Sequence, residues 1–430
     1  MKLSNAELAI IEPSYRANFY PFSLTRPIFD SLYGSKSLIQ RIESFLGRKF
    51  AYAFVPEYLV KVAGETHPNV RMNEEISRST IAVSSLVSSE FPLGKEIENA
   101  CSSYNSNFVV VDNSDEVIFA VLDELYQGNF IQSSDQKLNR DIRRVEIKSH
   151  PKPLVKYPWD LIAGNSEAIA SDFATNEESR WRDSNDMSTL ETLGKKFKIF
   201  QSAIIGRYVT LDSRKGPIII DEEAEVQSFS CLSGPCYIGK KTLVKSAKIR
   251  EGTSIGDRCK IAGEIDSTIV SDYTNKSHEG FIGHSYIGSW VNLGAGTTNS
   301  DLKNTYGEIR MNRDGRPVMT GLNKLGVFIG DMSKTAIGTL IFSGKNIGVS
   351  SQVFGTISRD VPSFTLCNGS KSEEIKEMYF DSARETQRKM MARREVTLTP
   401  SFEEMMRRVF EMTTEDRKSS GVRQGRFGMS

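Results

Sequence analysis

Residues 249–261 read IREGTSIGDRCKI, and within this stretch Ile249, Ile255 and Ile261 are spaced six residues apart. The same spacing recurs in two further aliphatic series, which are Ile287 with Leu293, and Ile341 with Ile347 and Val353. A period of six fits neither the 3.6-residue period of an α-helix nor the two-residue alternation of one strand. It is typical of a parallel β-helix, in which each short strand points one aliphatic side chain inward. A β-sandwich with accidental spacing is the alternative, and the three series favour the β-helix.

The chain on either side of this repeat has a different pattern. Residues 1 to about 160 mix apolar runs, such as FVVV at 108–111, with stretches of helical spacing, such as 117–126. This mixture predicts an α/β domain with a mostly parallel sheet. The polar stretch 165–198 predicts a helical connector, and the charged amphipathic runs 372–394 and 401–417 predict a helical tail with a disordered end over 419–430. We therefore expect domains at 1–200, 201–368 and 369–430.

The composition indicates a small-molecule partner rather than a nucleic acid or a membrane. Lys and Arg total 55 against 54 Asp and Glu, so no excess of positive charge indicates a polyanionic partner. The five cysteines show no metal-ligand spacing, which fits a reducing compartment. The chain has no run of about 18 apolar residues and no basic, apolar leader at its start. We expect a cytoplasmic protein.

Two segments interrupt the six-residue period, and one of them contains a histidine with the setting of a catalytic base. They are residues 272–280 and 297–324, which we expect to leave the β-helix as loops that carry binding groups. His278 lies in the first, and Asn292 and a Gly-Ala-Gly turn at 294–296 follow it. A neutral imidazole accepts protons near pH 7, and such a turn offers backbone N–H groups to a developing oxyanion. His67 and His150 receive no functional prediction, because a lone histidine is more often structural than catalytic.

Residues 276–297 resemble the acetyltransferase segment of the bifunctional N-acetylglucosamine-1-phosphate uridylyltransferase and glucosamine-1-phosphate N-acetyltransferase family. The spacing from His278 to Gly283 and the run Asn-Leu-Gly-Ala-Gly at 292–296 carry the resemblance. It implies a left-handed β-helix, a homotrimer, and acetyl-CoA-dependent N-acetylation of an amino-sugar 1-phosphate with His278 as base. It further implies a phosphate contact at Arg250, sugar contacts at Glu264 and Asn292, and an acetyl-CoA contact at Ala295.

The sequence departs from this family at two places near the acceptor site. Asp266 stands where the bacterial enzymes have a substrate-binding Lys, and a longer loop, SDLKNTYGEIR at 300–310, displaces their Asn-Tyr pair. Asn304 and Tyr306 are the nearest equivalents of that pair. These departures leave the identity of the acceptor sugar open.

The N-terminal half resembles sugar-1-phosphate nucleotidylyltransferases, through RANFYPFSLTRPIFDSLYGSKSLIQRIE at 16–43 and YPWDLIAGNSEAI at 157–169. The resemblance implies use of a nucleoside triphosphate with Mg²⁺. Candidate residues are the phosphate-binding Arg16, Arg26 and Lys36, and Asp112 for the metal. However, AIIEPSYRAN at 9–18 has no glycine to cradle a phosphate, and Ile28 stands at the usual catalytic Lys position. Lys36 as a surface charge at a helix start and Asp112 as a turn residue are equally open.

Three functions are consistent with these observations. The first is a two-domain enzyme of nucleotide-sugar synthesis that uses both acetyl and nucleotidylyl transfer. The second is a nucleotidylyltransferase whose β-helix only trimerises it. The third is a non-catalytic protein that binds nucleotide sugars, and the missing glycine loop keeps this possibility open.

Overall fold

The computed structural model describes residues 6–104, 107–123, 131–132, 137–138, 142–147, 150, 152–175, 181, 191–313, 315–370 and 374–424. These residues form two compact units. The first contains residues up to Phe19, then Arg26–Ser31 and Ser37–Tyr157; the second contains Tyr20–Thr25, Leu32–Lys36 and the chain from Pro158 onward. The division into domains at 1–200, 201–368 and 369–430 stays a prediction.

The first unit is built on a seven-stranded sheet that is parallel except at one strand. The strands, in spatial order, are Arg143–Glu146, Phe108–Val111, Val117–Leu122, Thr80–Ser84, Glu7–Ile11, Tyr52–Phe54 and Arg71–Met72. Its α-helices are α1 (Leu38–Leu46), α2 (Val60–Thr66) and α3 (Leu93–Ser103). A capping box between Ser37 and Gln40 begins α1, and Gly47 in the left-handed conformation ends it. The α/β expectation for this region is confirmed.

One element of this unit differs from its prediction. Residues 117–126 have helical spacing in the sequence, but Val117–Leu122 is a strand, antiparallel to both neighbours. Residues 124–130 lie outside the described residues. The run VIFAVL is rich in β-branched and aromatic residues and is buried almost throughout, so it packs as an internal strand. For a short apolar run, periodicity alone does not separate a buried strand from a buried helix.

The second unit is a parallel β-helix whose coils pass through three faces, which we name A, B and C. Face A comprises Phe197–Ile199, Ile218–Ile220, Cys236–Ile238, Thr253–Ile255, Ile269–Val270, Tyr286–Ile287, Val327–Ile329 and Lys345–Ile347. Face B comprises Ile204–Ile205, Glu225–Val226, the first parts of Leu243–Ile249 and Lys260–Asp266, then Asn275–Lys276, Asn292–Leu293, Lys334–Thr335, Gln352–Phe354 and Thr365–Asn368. Face C comprises Glu191–Leu193, Thr210–Asp212, Cys231–Ser233, the ends of the two long strands, Phe281–Gly283, Thr298–Asn299, Leu340–Ile341 and Thr356–Ile357.

The six-residue period corresponds to one inward side chain on each face of a coil. Ile249 lies on face C, Ile255 on face A and Ile261 on face B, and all three are buried in the interior of the β-helix. The other two series are buried in the same interior. The elements of the predicted fold class are therefore confirmed, namely an α/β N-terminal region, a parallel β-helix of hexapeptide repeats and a helical tail, and the left-handed sense of the β-helix stays a prediction.

Face A is covered by segments of the same unit. These include α4 (Pro158–Ala163), α5 (Asn165–Ala174), the short 3₁₀ helix Phe22–Leu24 and the strand Leu32–Tyr33. The Phe22 ring packs on Tyr286 at a centroid distance of 4.4 Å. The buried Asn165 amide nitrogen donates to Gly252 O at 2.8 Å and to Ser254 Oγ at 2.9 Å. Of the predicted connector at 165–198, residues 176–180 and 182–190 lie outside the described residues.

The two interruptions of the period have different structural origins. Residues 272–280 do not leave the β-helix as predicted, because Asn275–Lys276 is a strand of face B and only a turn at 277–280 follows it. The period is obscured there because a lysine, Lys276, occupies an inward position. Residues 297–324 do contain a long loop, which includes an antiparallel hairpin of Arg310–Arg313 with Arg316–Met319.

The tail after the last coil contains α6 (Phe380–Ala392), α7 (Pro400–Met412) and α8 (Thr414–Ser419). The predicted disordered end is wrong for its described part, since Glu374–Glu377 pairs with Thr365–Asn368 and Arg423–Gln424 pairs with Glu374–Glu377. Residues 425–430 lie outside the described residues. Among the residues described, no helix has the length and apolar character needed to cross a membrane.

Candidate functional site

His278 lies at the corner where the chain turns from face B to face C. Its side chain is exposed, and it makes no hydrogen bond or ion pair with the described residues. The backbone of the turn, in contrast, is held at three places. His278 O accepts from Lys276 Nζ at 2.9 Å, Glu279 O from Gly296 N at 2.9 Å, and Gly280 O from Glu264 N at 3.1 Å. A fixed turn thus presents an accessible imidazole.

The turns of successive coils stack along this corner. The Gly294–Ala295–Gly296 turn lies one coil above His278, and Gly338 N donates to Ala295 O at 2.7 Å from the next coil. Gly296 has φ of 75° and Gly280 has φ of 133°, a region that favours glycine. A Cβ at Gly280 would lie 2.1 Å from Thr297 O, so the turn requires glycine for its close approach. Within the described part of the chain, the Ala295 N–H donates no hydrogen bond, and Ala295 is half-buried.

Arg250 and Glu264 form an ion pair on the outside of face C. The Arg250 Nε to Glu264 Oε1 distance is 2.5 Å, and the hydrogen bond to this carboxylate raises the pKa of Arg250. Glu264 is in register with Phe281 on the strand that follows the His278 turn. The structure therefore places Glu264 beside the strand that follows the His278 turn, with Arg250 paired to it from the coil below.

Asn292 lies on the outside of face B and is linked to the His278 turn through two side chains. The Asn275 amide nitrogen donates to Asn292 Oδ1 at 2.7 Å, and Ser277 Oγ donates to Asn275 Oδ1 at 2.6 Å. Asn275 had no role in the sequence prediction, although its place beside an inward residue of the same strand identifies it as outward-facing. This chain of hydrogen bonds orients Asn292 relative to the turn.

Asn304 and Tyr306 lie in the long loop after face C. Both side chains are exposed, and Tyr306 N donates to Lys303 O at 2.9 Å within a turn. Near the base of this loop, His284 Nδ1 lies 2.8 Å from Asp301 Oδ2, a contact that lowers the pKa of Asp301. The roles of Asn304 and Tyr306 as sugar contacts stay predictions.

Two lysines on face B carry ammonium groups in poorly solvated places. Burial lowers the pKa of Lys276 to about 8 and that of Lys334 to about 8. Lys334 Nζ donates to Met332 O at 2.7 Å. Neither residue was singled out by sequence reasoning, although Lys276 lies six residues from both Val270 and Ile282 and so occupies an inward position.

Lys334→Met is expected to change how the stability of the β-helix depends on pH. Below pH 8 the folded and unfolded states of the natural chain both hold the Lys334 proton, so the poor solvation of this ammonium destabilises the folded state by its full amount. Between pH 8 and 10.5 the unfolded state alone keeps the proton, and stability rises with pH by up to about 3 kcal/mol. Urea unfolding at pH 7, 8.5 and 10 should show this rise in the natural chain and a smaller rise in the variant. If the free energy of unfolding rose with pH by the same amount in the natural chain and in the variant, the prediction would be wrong.

In the first unit, Arg16 pairs with a carboxylate in the loop after the first strand. Arg16 Nε lies 2.7 Å from Glu12 Oε2, and Glu12 Oε1 accepts from the Ile28 N–H. The Glu12 side chain is fully buried, and this burial raises its pKa while Arg16 opposes the rise. Sequence reasoning found no glycine in this loop; the structure places a buried carboxylate there instead.

The remaining candidates of the N-terminal half are distributed between the two units. Arg26 is half-buried in the first unit. Lys36, in the second, has its Nζ 3.8 Å from Asp172 Oδ1. Asp112 is buried at the end of Phe108–Val111, where Oδ1 accepts from the N–H groups of Ser114 and Glu116. Its other oxygen, Oδ2, lies 2.7 Å from Lys156 Nζ.

A magnesium site does not fit Asp112 in this arrangement. Both of its oxygens already have partners, and the residues described contain no group of three or more His, Cys, Asp or Glu side chains placed to hold a metal ion.

Comparison with known proteins supports a relation to two kinds of transferase. Residues 8–181 match the sugar nucleotidyl transferase family. The bifunctional sugar-1-phosphate nucleotidylyltransferase/acetyltransferase of Sulfurisphaera tokodaii is 32% identical over 152 residues, which cover 34% of this chain and 38% of that protein. The bifunctional protein GlmU of Synechococcus elongatus is 24% identical over 192 residues, covering 37% of this chain and 39% of that protein. The chain thus matches less than two fifths of the length of these relatives.

A solved structure of UDP-N-acetylglucosamine acyltransferase from Francisella novicida is similar at a lower level. It is 17% identical, covers 55% of this chain and 87% of its own, and has a TM-score of 0.33, which is too low to support an argument. The sequence relatives are sufficient to confirm the resemblance that the sequence motifs indicated: over part of its length, this chain is related to the bifunctional sugar-1-phosphate nucleotidylyltransferase/acetyltransferases.

Proposed function

We propose that the β-helix transfers an acetyl group from acetyl-CoA to the amine of an amino-sugar 1-phosphate, with His278 as general base. One observation carries this proposal: the His278 turn presents an accessible imidazole between the Arg250–Glu264 pair and the Ala295 turn. An imidazole, a cation for phosphate and a vacant N–H donor are the groups that acyl transfer to such an acceptor needs.

The reaction would proceed by addition and elimination at the thioester carbonyl. The amine attacks the carbonyl carbon as His278 takes its proton, and the Ala295 N–H donates to the oxygen on which negative charge develops. Collapse of the tetrahedral intermediate breaks the C–S bond, and the proton held by His278 goes to the leaving thiolate. The products are free coenzyme A and an N-acetylated sugar phosphate. Glu264 and Asn292, with Asn304 and Tyr306 from the loop, would orient the sugar.

For the N-terminal unit we propose nucleotidylyl transfer to a sugar 1-phosphate, so that the chain makes a nucleotide sugar. The match over residues 8–181 supports this proposal. Arg16 and Arg26 of this unit would bind phosphate groups, and the phosphate-binding role of Lys36, which lies in the second unit, stays a prediction. The loop at residues 9–18, which has no glycine to cradle a triphosphate, favours a second candidate, in which this unit binds nucleotide or nucleotide sugar without turnover. We place these reactions in the cytoplasm, where acetyl-CoA and nucleoside triphosphates are available.

We further propose that the chain forms a homotrimer. Ile337, Leu340 and Phe342 are exposed near the His278 corner and on face C, at 79%, 49% and 52% respectively. Neighbouring apolar side chains exposed to this extent commonly mark a protein contact. Light scattering of the purified protein measures the mass directly, and a monomer at micromolar concentration would overturn the proposed assembly.

Product analysis tests both activities in one experiment. The protein is incubated with glucosamine 1-phosphate or galactosamine 1-phosphate and acetyl-CoA, and separately with the N-acetylated sugar phosphates and each nucleoside triphosphate. We expect mass spectrometry to show an N-acetyl product in the first series and a nucleotide sugar in the second. Binding of a nucleotide sugar by calorimetry without any product in the second series would select the binding-only candidate for the N-terminal unit.

Arg250→Ala is expected to raise KM for the sugar phosphate by about 20-fold with little change in kcat, because a charge-assisted contact to phosphate holds substrate and transition state alike. Arg214→Ala is the matched control, since Arg214 is also exposed and pairs with a carboxylate of face C, Asp212, two coils away. Initial rates against sugar phosphate concentration give both constants. An unchanged KM in Arg250→Ala would remove this residue from the site.

A further inference from the structure

Face B has one inward residue that does not fit a hydrophobic interior. Lys276 is 2% exposed, and its neighbour in register on the coil below is Ile261. The inward residues at the other coils of this face are apolar or small: Ile205, Val226, Val244, Ile261, Leu293, Thr335, Val353 and Cys367. Burial of an ammonium is costly, and its lowered pKa reflects that cost. An aliphatic side chain at this position would stabilise the fold more.

The corner directly below His278 is shorter than the corners above it. Ile261 and Ile265 bound this lower corner and are four positions apart, whereas Lys276 and Ile282, which bound the His278 turn, are six apart. The short corner turns at Gly263, which has φ of 75°. A Cβ at Gly263 would lie 2.8 Å from Lys276 Nζ and 2.6 Å from Gly280 O. The lysine head therefore lies in the space between the short corner and the turn that carries His278.

The Lys276 ammonium links these two corners. It donates to Ala262 O on the short corner and to His278 O on the turn, each at 2.9 Å. At the corners above, backbone N–H groups make the corresponding links, from Gly296 to Glu279 and from Gly338 to Ala295. The His278 carbonyl, in contrast, accepts its hydrogen bond among the described residues from the side chain of Lys276. The peptide of His278 is thus held in place from inside the β-helix.

We propose that Lys276 is a positioning residue for the His278 imidazole, an inference that rests on the proposed acetyl transfer. The lysine touches no reacting atom in this arrangement. It fixes the carbonyl of the residue that acts as base, and thereby sets where the imidazole meets the acceptor amine. Small displacements of a base are costly, since a misplacement of about 1 Å can lower a rate by roughly 10²-fold.

Lys276→Met tests the proposal, because methionine fills the same space without donating a hydrogen bond. We expect kcat for acetyl transfer to fall by about 50-fold, with KM for both substrates within about threefold, and a melting temperature no lower than that of the natural chain. Lys334→Met is the matched control, since it removes a second poorly solvated lysine of face B that donates to Met332 O instead. The kcat of Lys334→Met should stay within about twofold of the natural value.

A double-mutant cycle separates positioning from a structural effect. If Lys276 acts through His278, then in a His278→Ala background Lys276→Met should leave the residual rate unchanged. A structural role would lower the rate in both backgrounds and would lower the melting temperature as well.

The outcomes distinguish this inference from the function on which it rests. A natural chain that transfers acetyl groups, together with a Lys276→Met variant of equal kcat, overturns the positioning role alone. The positioning role is also overturned if Lys276→Met lowers the rate by the same factor with His278 present and in the His278→Ala background. A natural chain inactive towards all amino-sugar phosphates overturns the acetyltransferase proposal, and the positioning role with it. A crystal structure of Lys276→Met should show the His278 imidazole displaced by at least about 1 Å, and an unmoved imidazole would contradict the inference even if kcat fell.

Discussion

His278→Ala is expected to lower the rate of acetyl-CoA-dependent thiol release by about 10³-fold, within the range typical of a lost general base. The loss should fall on kcat, because the imidazole acts as the proton leaves the attacking amine and contributes little to ground-state binding. The turn should survive the change, since the backbone groups of residues 278–280 are held by Lys276, Gly296 and Glu264 rather than by the imidazole. Release of the thiol is followed with a thiol-reactive dye under saturating substrates.

His284→Asn is the matched control for this experiment. His284 lies six residues further along, and its imidazole is committed to Asp301 at 2.8 Å. It has φ of 48°, a conformation that asparagine tolerates better than most residues. We expect its kcat to stay within about threefold of the natural value. A His278→Ala protein that keeps more than a tenth of the natural rate would show that another group accepts the proton.

Arg16→Met is expected to lower the free energy of unfolding by about 3 kcal/mol at pH 7, because it leaves the buried Glu12 carboxylate without its guanidinium partner. Burial already raises the pKa of Glu12 above its usual value, and removal of Arg16 raises it further. As pH rises above about 4.5, the unfolded state loses the Glu12 proton before the folded state does, so stability falls with pH. The loss in the variant should therefore be larger at pH 7 than at pH 5.

Urea unfolding at both pH values measures these differences. In the double variant Arg16→Met with Glu12→Gln, no charge remains to be buried, and the amide oxygen can still accept from the Ile28 N–H. We expect the double variant to recover more than half of the lost stability at pH 7. A loss that is the same at pH 5 and pH 7, or that persists in the double variant, would show that packing of Arg16 and not the Glu12 charge is responsible.

The β-helix could be predicted because its period is carried by residue type at fixed spacing. Ile249, Ile255 and Ile261 each belong to a different face, so three strands of one coil were readable from a single 13-residue stretch. The prediction failed where an inward position holds a polar residue. Lys276 hid the strand of face B and made residues 272–280 look like a loop. Counting positions instead of apolar residues would have found it, since Val270, Lys276 and Ile282 keep the spacing.

The part of the candidate site that lies within the motif at residues 276–297 could be predicted from the sequence. The resemblance around His278 identified the turn, and the structure places Glu264, with its partner Arg250, below this turn and Ala295 one coil above it. The links that hold the turn were beyond sequence reasoning, because they join residues on neighbouring coils through backbone carbonyl groups. Lys276 and Asn275 are such links, and no local pattern specifies which carbonyl a lysine reaches.

The structure of the N-terminal half was the hardest to predict from the sequence. The missing glycine in AIIEPSYRAN was readable as an absence, but its replacement by a buried ion pair depends on where Glu12 points once the loop has folded. The 117–126 stretch was assigned the wrong element because its apolar spacing fits a helix as well as an internal strand. In both cases tertiary packing decided between local alternatives of similar propensity.

The Glu12–Arg16 pair has a consequence for nucleotide affinity. A carboxylate held by a guanidinium and a backbone N–H resembles, in charge and shape, one edge of a bound phosphate. If Arg16 binds phosphate as proposed, Glu12 competes with the phosphate for the Arg16 guanidinium. Because Glu12 is four residues away in the same chain, its effective concentration at Arg16 is high, and nucleotide has to bind against it. The Glu12–Arg16 ion pair would then limit the affinity of this unit for nucleoside triphosphate. Lower pH protonates Glu12 and so weakens the ion pair, and nucleotide would then bind more tightly.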